Sequence, residues 1–462
     1  MRINATQEIV ERVIQFQTQE ISKEVFHQTK RCILDYCGVV LAGAQYNAEK
    51  NTRYLDSISS SAESGTVSLF GMNRKADVYS AALLNGMNAH VIELDDGHRF
   101  GMMHMGAPII SAVFSVAEGK GIAGEKILRA IICGYEIAIT LARHMQPGHK
   151  LKGYHATGTC CTVGGAMAVA LLLDFHREQI QGALSAAATS AAGLLEVIDD
   201  ASQLKPYNIG RAAMDAVAAA MIGRAGFCGP DDVIGGKRGF FAALASAEDY
   251  QKICDLPTLF SDDTLAITEI YTKPYAACRH CHPAIEAALS VRKQMQDDGV
   301  EISDDTIESI CVSTYKLAIA GHDHQEVCGV SSAKMSTPYS VAAALCRGLV
   351  GIGAYEPEIL TDDSVQQLAK KVTVQFDEEL DKLCPQKRAA IAEVSLCDGS
   401  GYRARVDYPR GEPENRMEDG ELEEKFEELA LIGGKTPDEI QTIKRMIWDY
   451  TEQANRLFEQ LL

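Results

Sequence analysis

Apolar residues in the first part of the chain recur at three- and four-residue steps, the spacing of one helical face. Ile9, Val10, Val13 and Ile14 open the series; Val25, Phe26, Cys32, Ile33, Tyr36, Cys37 and Val40 continue it, with Gly43 as the expected stop. A short β-like piece, Thr66 to Phe70, interrupts the pattern. The same spacing then predicts helices over 78–92, 108–117, 124–142, 162–173, 179–195 and 211–225. Two stretches, Ala183 to Ala192 and Ala212 to Ala220, are rich in small residues. Small side chains let helix axes approach closely, which places these stretches inside a bundle.

From residue 268 the apolar period shortens to two. Ser309 to Thr314, Val372 to Phe376, Ala392 to Leu396 and Arg403 to Tyr408 read as strands, and Asp398-Gly399 as a hairpin turn. Helices over 283–297 and 338–345 lie between them. The chain then returns to helix. Leu422, Phe426 and Leu429 mark a core face within an acidic stretch, which reads as a solvated helix surface. Thr436-Pro437-Asp438-Glu439 is a capping box with proline at the first helical position. The helix it opens carries Ile440, Ile443, Ile447, Tyr450, Ala454, Leu457 and Leu461 on one side. The expected fold is mainly α with an α+β part. Residues 1–267 form the first part of a helical domain, 268–398 a smaller α+β domain, and 399–462 a segment returning to the helical domain.

At 462 residues the chain exceeds what one hydrophobic core usually holds, in keeping with two domains. A formal charge of -19 argues against a nucleic-acid surface or an anionic membrane as partner, since both need a basic face. It leaves room for a small anionic substrate held by a local cluster of Lys, Arg and His. No apolar run approaches bilayer length and no signal core precedes the first helical pattern, so the expected location is the cytoplasm. The 14 cysteines lie among core-like residues and are expected to be reduced and mostly buried.

Gly351-Ile352-Gly353 and Gly235-Gly236-Lys237 lack the strand-loop-helix setting of a phosphate loop, and there is no Gly-x-Ser-x-Gly elbow. Four other segments gather titratable residues beside glycines and helix starts. The first runs Glu93-Leu94-Asp95-Asp96-Gly97-His98-Arg99-Phe100 and on to His104, just ahead of a helix whose free N–H groups favour a carboxylate. The second is Lys152-Gly153-Tyr154-His155-Ala156-Thr157-Gly158-Thr159, where His155 reads as a proton carrier or as a helix cap. The third, Leu204-Lys205-Pro206-Tyr207-Asn208, sets a lysine before a buried helix, either as a fixed charge or with its stem merely covering apolar surface. The fourth, Lys273 to Pro283, holds Cys278, Arg279, His280, Cys281 and His282. Its C-x-x-C spacing suits zinc, but no second pair follows at ribbon or finger spacing.

Taken in this order, the four segments resemble the MmgE/PrpD family. Arg31-Cys32-Ile33-Leu34-Asp35, Asn85-Gly86-Met87-Asn88-Ala89-His90, Ser336-Thr337-Pro338-Tyr339-Ser340 and Gly411-Glu412-Pro413-Glu414-Asn415 add to the likeness, which spans almost the whole chain. The resemblance implies a helical domain built from both chain ends, an α+β lid, a homodimer, and a cleft that works with no organic cofactor or metal. It implies catalytic roles for Asp96, His104, His155, Lys205, Lys273 and Tyr339. Asp95, Arg99, Thr157, Arg279 and His282 are the candidates for substrate contact.

Such a set suits proton removal beside a carboxylate. The enolate-like dianion so formed needs preorganised positive charge and hydrogen-bond donors. Lys205 and Lys273 would hold that charge, the two histidines would move protons, Asp96 would orient a histidine, and Tyr339 would donate to a leaving hydroxyl or a carboxylate. The expected activity is dehydration of a small polycarboxylate resembling 2-methylcitrate. The alternative is epimerisation of a dicarboxylate such as iminodisuccinate by the same proton transfer. Gly97 stands where a hydroxyl residue is expected in the decarboxylase and epimerase branches. The loop from Asp96 to His104 is longer than in the decarboxylase branch, and the Cys278–His282 cluster also departs from it. Decarboxylation of cis-aconitate therefore fits least well of the three. A metal-binding protein without catalysis is the reading from another class, motivated by that cluster.

Overall fold

In the computed structural model the described residues are 4–58, 65–198, 202–260, 264–348, 350–450 and 455–462. The chain divides into two compact units. One comprises Met1–Val197, Leu204–Ile270 and Glu418–Leu462; the other comprises Ile198–Gln203 and Tyr271–Met417.

The first unit is a helical bundle. Its Lys23–Tyr46 helix starts at Ser22, whose hydroxyl accepts from the Val25 N–H at 3.3 Å. It runs straight through Gly43, where a Cβ would sit 1.9 Å from the Asn88 carbonyl oxygen. That glycine is therefore not the expected stop. It is the point at which the Val78–Val91 helix crosses at backbone contact. A second such crossing sets the site. A Cβ on Gly210 would lie 2.2 Å from the Leu83 carbonyl oxygen, and one on Gly86 2.9 Å from Gly210 Cα. The close approach lays the end of the Val78–Val91 helix against the start of the Lys205–Arg224 helix.

Two helices begin earlier than the apolar spacing predicts. The Ala156–Leu172 helix, expected from 162, is buried at every position, so its first turn shows no amphipathic period to read. Its opening Thr157-Gly158-Thr159 also has weak helix propensity, which burial overrides. The Lys205–Arg224 helix, expected from 211, takes Pro206 into its first turn, where a missing N–H costs nothing. The β-like piece becomes β1, Val67–Leu69, paired antiparallel with β2, Arg74–Ala76.

The second unit holds a four-stranded mixed sheet of β3 (Ile307–Thr314), β4 (Val372–Phe376), β5 (Ala390–Leu396) and β6 (Gly401–Val406), in the order β4-β3-β5-β6. β3 and β4 are parallel; the other two pairings are antiparallel. The β5–β6 turn is where Asp398-Gly399 was expected to make it, with Gly399 at φ +87°. Because β6 completes this sheet, the unit extends past 398 to Met417. The His282–Asp297 and Thr337–Arg347 helices pack on the sheet and on each other.

The chain then rejoins the first unit. The Asp419–Ile432 helix packs along Lys23–Tyr46 and buries Leu422, Phe426 and Leu429. Both halves of the Thr436–Glu439 capping box form, opening the Pro437–Asp449 helix. Leu457 and Leu461 are buried in the Asn455–Leu461 helix; Ala454, expected on the same face, lies outside the described residues. Among the described residues no helix is long and apolar enough to cross a membrane. All 14 cysteines are unpaired, but only six are buried, fewer than expected. Those of the sheet unit account for much of the difference, since Cys281 alone of its cysteines is buried.

Candidate active site

In the first unit, titratable side chains gather where three helices start and one ends. His90 stands in the last turn of the Val78–Val91 helix; the loop after it carries Glu93, Asp95, Asp96 and His104, ending at the Gly106–Lys120 helix. His155 immediately precedes the Ala156–Leu172 helix, and Lys205 is the first residue of its own. Unpaired N–H groups at helix starts favour negative charge nearby.

Lys205 Nζ is paired with Glu93 Oε1. This is not a lysine whose stem merely covers apolar surface: its ammonium is fixed by a buried carboxylate. Glu93 holds its position in the left-handed region, at φ +59°, uncommon for a residue with a side chain and often found at functional sites. The same Oε1 lies 3.2 Å from His90 Nε2. On the other side of the ring, His90 Nδ1 lies 2.8 Å from Asp95 Oδ2. That oxygen is in turn 3.5 Å from His104 Nδ1. The His90 and His104 rings meet edge to face, 4.9 Å between centroids.

The tautomer of His104 follows from its partner. Nδ1 lies 2.7 Å from the main-chain carbonyl oxygen of Asp96, an acceptor only, so Nδ1 carries the hydrogen and donates. In the neutral ring Nε2 then bears the lone pair. The Asp96 side chain does not orient a histidine, contrary to expectation. Its Oδ2 accepts from the Tyr135 hydroxyl at 2.6 Å and its Oδ1 from the Gly106 N–H at 2.8 Å, so it caps the start of the Gly106–Lys120 helix. Burial, helped by the Asp35 and Asp95 carboxylates, pushes its pKa up to about 7 against those two donors. The loop is also held from far along the chain: Lys425 Nζ reaches Asp35 Oδ1 at 2.5 Å and the Leu94 carbonyl oxygen at 2.7 Å.

His155 is the opposite kind of imidazole. Burial first, then the Lys205 ammonium and the other two histidines, hold its pKa well below the ordinary histidine value, so the ring is neutral at pH 7. Asn208 Nδ2 lies 3.3 Å from Nδ1 and also donates to the Leu194 carbonyl at 3.1 Å. The amide thus makes Nδ1 the acceptor and leaves the hydrogen on Nε2.

Other expected residues serve different partners. The Thr157 hydroxyl accepts from the His104 N–H at 3.0 Å and so braces His104 rather than lying open to a ligand. Arg99 is buried, its guanidinium 5.0 Å from the Phe100 ring centre. In the second unit Lys273 is fully buried, and the Tyr339 hydroxyl donates to the Ala354 carbonyl at 2.7 Å. Arg279 directs its N–H groups to Glu412 Oε1, His282 Nδ1 and the carbonyls of Pro409 and Arg410. These hydrogen bonds use all five guanidinium N–H groups, and the His282 Nε2–H faces the Ala277 carbonyl at 3.2 Å. Arg279 and His282 are thereby parts of an internal clasp instead of substrate contacts.

The zinc reading of the Cys278–His282 cluster does not hold among the described residues, because its side chains point to separate partners. Cys278 meets His322, His280 meets the Tyr315 hydroxyl, Cys281 meets the Met335 carbonyl, and His282 meets Arg279. The group whose ligand atoms do lie within 4.8 Å of one another is His90, Asp95 and His104. Its donor chemistry does not suit a cation, since the His104 Nδ1 already carries a hydrogen and both His90 nitrogens face carboxylates.

His90 and Glu93 were not among the expected site residues, although both lie in segments the sequence reading singled out. The available signal was their spacing: a histidine with acids three and five positions on, at a helix end.

Comparison with known proteins agrees with the earlier resemblance. A family model described as the MmgE/PrpD N-terminal domain matches residues 7–253, and one described as the MmgE/PrpD C-terminal domain matches residues 275–449. Among curated proteins, a cis-aconitate decarboxylase-like protein, oryM, of Aspergillus oryzae is 26% identical over 92% of this chain and 90% of its own. A cis-aconitate decarboxylase of Aspergillus terreus is 24% identical over 91% and 88%, and that of Homo sapiens 24% over 96% and 88%.

Proposed function

This chain belongs to the MmgE/PrpD family, and we propose that it is a lyase that removes a proton beside a carboxylate of a small polycarboxylate and expels a β-hydroxyl as water. The observation that carries the reading is the pairing of two complementary histidines beside one ammonium. His104 offers a lone pair on Nε2, and neutral His155 offers a hydrogen on Nε2.

His104 Nε2 takes the proton from the carbon next to the carboxylate. The electron pair left on that carbon moves into the carboxylate, giving a dianion. Lys205 has three ammonium hydrogens, one directed to Glu93, so the others serve the developing charge. A neutral His155 donates to the same charge without the cost of burying a second cation. The electron pair then returns to form the double bond, and the β-hydroxyl leaves as water with the proton that His104 had taken, which restores the neutral base. General-base catalysis is worth roughly 10²–10⁴ in rate and an oriented donor to the oxyanion roughly 10²–10³. The fit of a polycarboxylate is further supported by the starts of the Ala156–Leu172 and Lys205–Arg224 helices, where His155 and Lys205 stand.

The names of the relatives favour a second reading, decarboxylation of cis-aconitate, in which the carbanion forms by loss of carbon dioxide and the site supplies the proton. Epimerisation needs only that the proton return to the opposite face. Purified protein incubated in deuterated water with 2-methylcitrate, cis-aconitate and iminodisuccinate separates the three. An unsaturated acid is expected; carbon dioxide release means decarboxylation, and deuterated starting material of inverted configuration means epimerisation. No reaction and no exchange across a broad panel of di- and tricarboxylates overturns proton transfer as the function. Lys273→Met and Tyr339→Phe test whether the second unit contributes, as the resemblance implies. A homodimer in the cytoplasm completes the proposal, the latter in keeping with 14 unpaired cysteines.

A further inference from the structure

Among the groups outside the proposed chemistry, His90 is the one whose surroundings define its charge. Its side chain has no exposed surface, and it lies between two buried carboxylates. Nδ1 is 2.8 Å from Asp95 Oδ2. Nε2 is 3.2 Å from Glu93 Oε1, an ion contact rather than a well-directed hydrogen bond. A neutral imidazole would aim a lone pair at one of these oxygens. Its place in the last turn of a helix adds the negative end of the helix dipole.

We propose that His90 is a positioning residue, a buried imidazolium that joins Glu93 and Asp95 into one line of alternating charge from Lys205 to His104. The inference rests on the reading of Lys205 and His104 given above. At one end the line fixes Glu93, which orients the Lys205 ammonium. At the other it fixes Asp95, whose Oδ2 lies 3.5 Å from His104 Nδ1 and keeps the hydrogen on that nitrogen. His90 touches no reacting atom in this scheme. It holds the polarity of the two groups that do.

The groups around His90 agree. Burial alone would lower its pKa, but Asp95 and Glu93 outweigh burial and the nearby Lys205 ammonium, and the pKa is raised. His104 approaches its ring edge to face, and His155 lies close enough for its own pKa to be lowered by His90. The sign follows: a raised pKa extends upward the pH range over which His90 keeps its proton, and the ring loses it only as pH rises through that raised value.

Nitrogen NMR of histidine-labelled wild-type protein, with His90→Gln to assign the signal, reads this without any substrate. His90 is expected to keep hydrogens on both nitrogens from pH 6 to pH 8; a neutral ring at pH 7 overturns the proposal. Kinetics give a second measure. For His90→Gln, kcat should fall tenfold or more and the pH profile should shift, with KM changing less than kcat. A profile that superimposes on the wild type's also overturns it. Should His90→Gln fail to fold, His90→Gln with Asp95→Asn removes the stranded charge and takes its place. If no polycarboxylate is turned over, the catalytic reading falls while the NMR result still decides the charge of His90.

Discussion

Lys205→Met asks whether the ammonium serves the fold or the substrate. The Lys205 and Glu93 side chains are only 15% and 8% exposed, so removing the ammonium strands a carboxylate away from water. Breaking a buried ion pair from one side costs about 3–5 kcal/mol. Glu93 keeps His90 Nε2 at 3.2 Å, which argues for the lower end, about 3 kcal/mol by urea unfolding. Adding Glu93→Gln removes the stranded charge, and the double variant should regain most of that loss. Turnover should not follow. If Lys205 steadies the charge of the dianion, the single variant loses roughly 10²–10³ in kcat. The double variant should stay within about tenfold of it, because the missing group acts on substrate and not on Glu93. Both are assayed at a temperature where circular dichroism shows them folded. Recovery of turnover together with stability in the double variant would refute the reasoning and make Lys205 a structural residue.

His104→Asn keeps a donor for the Asp96 carbonyl but removes the lone pair; kcat should drop roughly 10²–10⁴, and deuterium exchange into substrate should fall in step. Asp96 has a folded pKa of about 7 against an unfolded value of 3.8, so the native state holds its proton longer than the unfolded state. Its contribution to stability is fully present below pH 4 and declines as pH rises to 7. Asp96→Asn should therefore gain stability relative to wild type between pH 5 and pH 8, by at most on the order of 4 kcal/mol in urea titrations. Arg279→Lys cannot reproduce five directed N–H groups. The second unit should lose about 3 kcal/mol or more, seen as faster limited proteolysis within 271–417; an unchanged digestion rate would show that the clasp contributes little.

The helical bundle and the sheet were legible because their apolar periods are regular, as at Val25–Val40 and in the strand carrying Val372 and Val374. The segments that build the site were legible too, since His104, His155 and Lys205 sit at helix starts with polar neighbours. Two things were not. Helix starts that are buried all round show no alternation, so the first turn at Ala156 was missed. Which acid faces which base depends on the path of the loop. Asp96 was expected to orient a histidine because the family resemblance placed it among the site residues. The positive φ at Glu93 turns that residue to Lys205 and leaves Asp95 facing His90, and no residue type announces it. Arg279 fails to read from sequence for a related reason: its carboxylate partner is 133 positions away.

The reach of Lys425 bears on how the protein is made. A nascent chain that has emerged far enough to present His90, His104, His155 and Lys205 still lacks the tether on Leu94 and the cation opposite Asp35. Until translation passes the whole sheet unit and delivers the Asp419–Ile432 helix, the loop between Glu93 and His104 has no anchor from that side. The growing polypeptide should therefore emerge from the ribosome inactive, its acid–base groups present but slack.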